Sequence, residues 1–425
     1  MLNRTSPPAI KDAVEFDLIL KPCQHFSLNN GVDVCFINDG TEEVAMLEWV
    51  FEAGNSYEDK NTIAATVNQL LKNGTSKKSA LDINEHFEYY GAYLNRSCQN
   101  EKATLTLHCL SRHLPELLGV IRELITDSVF PREELDIHKQ NSIQRLAVNL
   151  QKCDFVANRL IDQYLYGPTH PYGRVSNVED IQAVQREDLL EFFSAYYRRA
   201  SCRIFAAGRL PQDFTQLLNQ HFGDLALNEK IAGVPVQKQM ASQKKYRVTN
   251  DPNGVQGAIR IARPFPNRHH PDYKKMMVVN TLFGGFFGSR LMSNIREEKG
   301  YTYGIHSFIE NHIAESALVI TTEAGSEVCE ATVEEVYKEM QLLRETLVDE
   351  EELLLVKNYM MGVNLGDIDG PFHVISKWKG ILLNGLDERF FYESMDTIKK
   401  ITAEEIREMA HRYLNPEDFF ELIVI

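Results

Sequence analysis

Positive charge is scarce in this chain. Across 425 residues, 45 Lys and Arg stand against 60 Asp and Glu, a formal net charge of −15 at pH 7. That deficit excludes general nucleic-acid binding, because phosphate contacts need a basic face. It leaves protein partners open and favours solubility. No run of ~18 or more apolar residues is present, so no transmembrane segment is expected. No apolar stretch follows Met1–Pro8, so the signal-peptide pattern is absent too. The seven cysteines (23, 35, 98, 109, 153, 202 and 329) form no C-x-x-C pair. Their odd count and loose spacing suit ordinary buried thiols in a reducing compartment. The expected location is therefore the cytoplasm, or the periplasm if a leader has been removed. Nucleophile–base pairs and intact metal sets are also missing. His108 and His113 lack a helical metal spacing, and Asp367–Gly370 lacks the closing Glu of a calcium loop.

What is present suits a globular protein. Hydrophobic residues make up 44% of the chain, and its length suits two domains of about 200 residues each. The chain also repeats itself. The stretch 130–139 matches 348–357, and Ile181, Val184, Leu189 and Tyr196 match Ile398, Ile401, Ile406 and Tyr413, both at an offset of about 217 residues. Two matches at one offset point to a duplicated α/β domain. Alternation of β-branched and aromatic residues predicts strands at 32–38, 45–52, 103–109, 201–207, 257–262, 317–322 and 419–425. Longer amphipathic patterns predict helices at 63–72, 80–90, 114–127, 132–150, 181–197, 333–346 and 403–413. The expected fold class is α+β: two tandem homologous halves, each a mixed, largely antiparallel sheet backed by helices. The expected domains are 1–226 and 246–425, with the polar stretch 227–245 as linker.

One predicted helix carries a distinctive frame. The segment 62–75 resembles the stretch G-L-A-H-x-x-E-H-x-x-x-K-G-T of the pitrilysin/insulinase family of zinc peptidases, keeping Ala64, Gly74 and Thr75. Residues i and i+4 share a helix face, so two His at that spacing grip one zinc, and a Glu at i+3 takes a proton from metal-bound water. Here those positions hold Ala65, Asn68 and Gln69. Alanine has no donor atom, and neutral amides are poor zinc ligands. The family's third ligand, a Glu, falls near Arg145, whose guanidinium repels a cation. Two ligands, the base and the third ligand are all replaced. The segment Gly91–Ser97 resembles the one leading into the family's substrate-pairing edge strand, but Arg96 places a bulky charge there.

The second half keeps more. Residues 284–303 are similar to the family block G-G-x-x-S-R-L-x-x-x-L-R-E-x-x-G-x-x-Y, with Gly284, Gly285, Ser289, Arg290, Leu291, Arg296, Glu297, Gly300 and Tyr303 in place. By residue chemistry alone, Gly284-Gly285 reads as a turn before a helix, Arg290 as bridging a carboxylate, Arg296 as a solvated helix residue and Tyr303 as half-buried in a strand. The resemblance implies that Arg296 and Tyr303 hold the substrate backbone and steady the oxyanion, a role suited to fixed donors. It also implies a clamshell of two halves. The expectation is a chain without catalysis of its own: the non-catalytic subunit of a two-chain zinc peptidase. No cofactor is expected here, zinc is expected in a partner bearing H-x-x-E-H, and a peptide is the expected substrate. The alternative is an inactive scaffold or binding protein of the same fold, hetero-oligomeric or a homodimer.

Overall fold

The computed structural model describes residues 11–230 and 238–425. Residues Met1–Ile10 and 231–237, where the N-terminal reading and the middle of the expected linker fall, lie outside the described residues. Eleven strands are present among the described residues: β1 Gln24–Ser27, β2 Asp33–Asn38, β3 Val44–Phe51, β4 Tyr93–Cys98, β5 Ala103–Leu110, β6 Cys202–Gly208, β7 Lys245–Val248, β8 Gln256–Phe265, β9 Thr302–Asn311, β10 Ser316–Gly325 and β11 Phe420–Val424. They form one sheet of order β1-β2-β6-β3-β5-β4 and another of order β7-β11-β8-β10-β9.

With β1 set aside, the two orders are the same permutation: first, fifth, second, fourth and third strand of each half. In each half the first strand runs parallel to the last, β2 to β6 and β7 to β11, and a consecutive pair, β4–β5 or β9–β10, is antiparallel. The repeat seen in the sequence is thus a repeat of topology, and both sheets are mixed.

The first-half helices are α1 Ile63–Leu70, α2 Ala80–Tyr89, α3 Leu114–Asp127, α4 Arg132–Asn149, α5 Cys153–Tyr166, α6 Val178–Ala183, α7 Arg186–Tyr196 and α8 Phe214–Phe222. The second half has α9 Tyr273–Asn280, α10 Cys329–Glu345, α11 Glu350–Gly366, α12 Pro371–Leu382, α13 Glu388–Lys400 and α14 Ala403–Tyr413. The single helix expected over 181–197 is two helices. Val184 is extended, and Gln185 then caps α7 with Asp188, so local capping chemistry breaks an otherwise continuous pattern. Among the described residues, no helix is long and apolar enough to cross a membrane.

By contacts the chain groups into two compact units, neither continuous in sequence. One joins Pro22–Arg260, Gly370–Lys379 and Phe420–Ile425; the other includes Ile261–Asp369 and Gly380–Phe419. In the first unit, β3 and β5 supply Trp49, Phe51, Leu105 and Leu107 to a core closed by Val67 of α1, Ile121 of α3, Phe193 of α7 and Phe222 of α8. Each such side chain contributes about 1.5–3 kcal/mol by leaving water. Glu48 is also buried on β3 and accepts two bonds from Lys379 Nζ, at 2.9 and 2.8 Å. The described ends of the expected linker are held rather than loose: Ser201 N donates to Glu229 O, and Gln239 N to Tyr166 O. In the second unit, α10 packs on α14 and α13 on α9.

Candidate functional site

The helix with the zinc-peptidase frame is anchored at its start. Thr62 adopts a left-handed conformation, φ 74°, and turns the chain into α1. Its side chain does not cap the helix; Glu58 does so instead. The buried Glu58 carboxylate accepts from Thr62 N at 3.2 Å and Ala64 N at 2.7 Å, and pairs with Arg174 Nη2 at 2.9 Å. Negative charge at a helix N-terminus meets both the free amides and the macrodipole. Burial nonetheless pushes Glu58 up to about 7, only partly opposed by the Ala64 amide and Arg174.

Farther along α1, Ile63, Ala64, Val67 and Leu70 face the core, which fixes where the degenerate positions point. Ala65 is half-buried and Gln69 exposed. Asn68 is fully buried, and its amide donates to Thr104 O at 3.3 Å and to Tyr197 Oη at 3.1 Å. Its nitrogen is engaged in the fold, beside a tyrosine whose own ionisation burial strongly opposes. Arg145 is exposed on α4. Arg96, on the edge strand β4, donates to the Gln69 carbonyl. On α4, burial first, then the charges of Arg145 and Arg96, hold the His138 imidazole below the ordinary value.

The zinc that this frame implies elsewhere does not fit these residues. A methyl, two neutral amides and a guanidinium supply no anionic or imidazole ligand.

The second constellation is built on π-helical turns, at Thr281–Gly285 and Met292–Glu298, in place of the turn and ordinary helix expected. Such turns often mark functional positions. The glycines are needed for contact. A Cβ at Gly284 would lie 2.6 Å from Ser307 Oγ and 2.9 Å from Ser307 N, so this turn sits directly on β9. Gly284→Ala is expected to destabilise the chain by about 1–3 kcal/mol through overpacking, measured by denaturant unfolding. An unchanged midpoint would mean the turn does not press on β9.

Arg290 bridges a carboxylate, as its chemistry suggested: Nε and Nη2 donate to Glu352 at 2.8 and 2.7 Å. Arg296 behaves differently. Its guanidinium lies 4.6 Å from the Phe287 ring centroid and 3.9 Å from Glu297, a loose pairing. Gly300, at φ 68°, then turns the chain into β9, where Tyr303 is 98% exposed. The half-buried strand position expected from residue type alone is not what the structure has. Arg296 and Tyr303 thus flank one tight turn with donor groups accessible to a ligand.

Residues 33–168 match the family model described as Insulinase (Peptidase family M16), and residues 183–360 the one described as Peptidase M16 inactive domain. The chain belongs to the M16, or pitrilysin/insulinase, peptidase family. Among its relatives, the uncharacterized zinc protease YmxG of Bacillus subtilis is 22% identical, the match covering 93% of this chain and 96% of that protein. The mitochondrial-processing peptidase subunit beta of Rattus norvegicus is 25% identical over 91% of this chain and 81% of its own length. In fold, the M16 chain resembles the peptidase M16 inactive domain from Pseudomonas fluorescens, with a TM-score of 0.84 at 22% identity over 95% of this chain and 98% of that one. A protease from Helicobacter pylori is equally similar, with a TM-score of 0.84 at 16% identity over 95% and 99% of the two chains.

Sequence reasoning missed Glu58 and Tyr197, which hold α1 in place. Glu58 lies four residues before Thr62, too far for the usual capping pattern, and Tyr197 is remote in sequence.

Proposed function

We propose that this M16 chain is the non-catalytic subunit of a two-chain peptidase. In this reading it holds no zinc on α1, and a partner bearing H-x-x-E-H supplies the metal, the base and the strand that pairs with substrate. This chain supplies Arg296 and Tyr303, which donate to the peptide backbone and to the oxyanion that develops on the attacked carbonyl. The observation that carries the reading is an asymmetry. All four zinc-site positions are chemically unfit to hold the metal, whereas Tyr303, across the Gly300 turn from a loosely paired Arg296, is almost wholly exposed. The naming of one relative as a peptidase subunit is consistent with it.

The test is reconstitution. The purified chain, inactive alone, is mixed with an H-x-x-E-H homologue and assayed on unstructured peptides. Activity appearing only in the mixture supports the reading. A chain that forms a stable homodimer, ignores every such homologue and never alters turnover favours the scaffold reading instead.

A further inference from the structure

Two thiols and an imidazole converge on the β1–β2 hairpin, in the first unit and outside the constellations above. Cys23 immediately precedes β1 and His25 lies two residues on, so both project from one face of the extended chain. Cys35 of β2 is the direct cross-strand partner of His25. The ligand atoms of the three residues all lie within 4.8 Å of one another. Cys23 Sγ is 2.9 Å from His25 Nε2, and Cys35 Sγ is 4.0 Å from the same nitrogen. All seven cysteines of the chain are thiols, so neither sulfur is taken by a disulfide.

We propose that Cys23, His25 and Cys35 form a Cys2His site for a thiophilic divalent cation of the zinc class. Two thiolates and one imidazole are a ligand set zinc accepts in a tetrahedral site, and two thiolates neutralise its charge. Binding displaces one proton from each thiol to solvent. Without metal, the hydrogen bond with Cys23 and then burial hold the Cys35 thiol far above its ordinary range, so the cation must itself drive deprotonation. Access is graded: Cys35 is buried, Cys23 half-buried and His25 exposed. The fourth position therefore opens towards solvent, where water or an incoming ligand atom completes the shell. For His25 and Cys35, strand register rather than a flexible loop sets the spacing, and Cys23 sits one residue before β1.

The proposal is independent of the zinc-less reading of α1, and the same experiment separates them. The full chain, kept reduced with a thiol-free phosphine, is loaded with Zn²⁺ or Co²⁺, passed through desalting and assayed for metal. About one metal per chain is expected, with Co²⁺ giving the sulfur-to-metal charge-transfer absorption of thiolate ligation. His25→Ala and Cys23→Ser change accessible side chains, and Cys35→Ala keeps a small apolar group at the buried position. Each is expected to weaken binding by more than about 100-fold, beyond the usual effect of removing an outer-shell partner. Circular dichroism checks that the variants fold. A wild-type chain that retains no metal overturns the proposal. So does a His25→Ala/Cys23→Ser chain that retains its full complement, since the metal then sits elsewhere.

Discussion

Arg296→Ala, in this chain assembled with an H-x-x-E-H homologue, is expected to lower kcat about 10²–10³-fold, the usual cost of removing a donor to a developing oxyanion. Tyr303→Phe is expected to cost roughly 10- to 100-fold, since it deletes one hydroxyl donor to a charged acceptor. The split between kcat and KM carries the information. A residue that only holds the substrate backbone raises KM and leaves kcat alone, whereas one that engages the transition state lowers kcat. Neither substitution should unfold the chain. Tyr303 is almost wholly exposed, and Arg296 contributes a loose ion pair and a ring contact. Steady-state kinetics on the mixture, with co-elution to confirm assembly, is the measurement. Full activity in both assembled variants would remove Arg296 and Tyr303 from the reaction and leave the block a purely structural role.

Glu58→Ala is expected to lower stability by about 3–5 kcal/mol, because it strips the amides at the start of α1 and leaves the Arg174 guanidinium without its carboxylate. Glu58→Gln should cost less and should change the response to pH. The folded carboxyl titrates near 7 against an ordinary 4.5, so its folded-state value is raised. Its stabilisation is therefore complete below about 4.5 and is lost as the pH rises through about 7. The wild-type chain should accordingly lose stability relative to Glu58→Gln between about pH 5 and 8, by up to about 3 kcal/mol by linkage. Paired denaturant melts at the two pH values read the difference directly. A gap that stays constant, or that widens in favour of wild type at high pH, would show Glu58 ionised throughout and Arg174 dominating burial.

The parts of this molecule legible in sequence were those written in local pattern. The first-half strands and amphipathic helices follow periodicity, and the duplication shows as two matches at one offset. The degenerate zinc helix needs only residue identity to be recognised, and Arg290 found its carboxylate as its chemistry suggested. The remaining features depend on contacts that no local window contains. Asn68 looks like a substituted catalytic base, but its burial against Tyr197 and Thr104 depends on how α1 docks on β5 and α7. The close seat of the first π-helical turn on β9 rests on Gly284 lying against Ser307, 23 residues away. Arg96 reads as a steric obstacle on β4, and its reach to the Gln69 carbonyl needs the edge strand beside α1. The cysteines read as scattered thiols in sequence, and only strand register brings Cys35 opposite His25.

The shared strand permutation also bears on how the molecule is made. β11 lies between β7 and β8, yet roughly 155 residues separate the end of β8 from its pairing partner. At 5–20 residues per second, a ribosome needs about 8–30 s to deliver that strand. Throughout that interval β7 and β8 present unpaired amides and carbonyls, the template on which strands from other chains add. The first half meets the same delay, because β6 must insert between β2 and β3. Duplication has therefore written the same delay between a strand pair and its central partner into the chain twice.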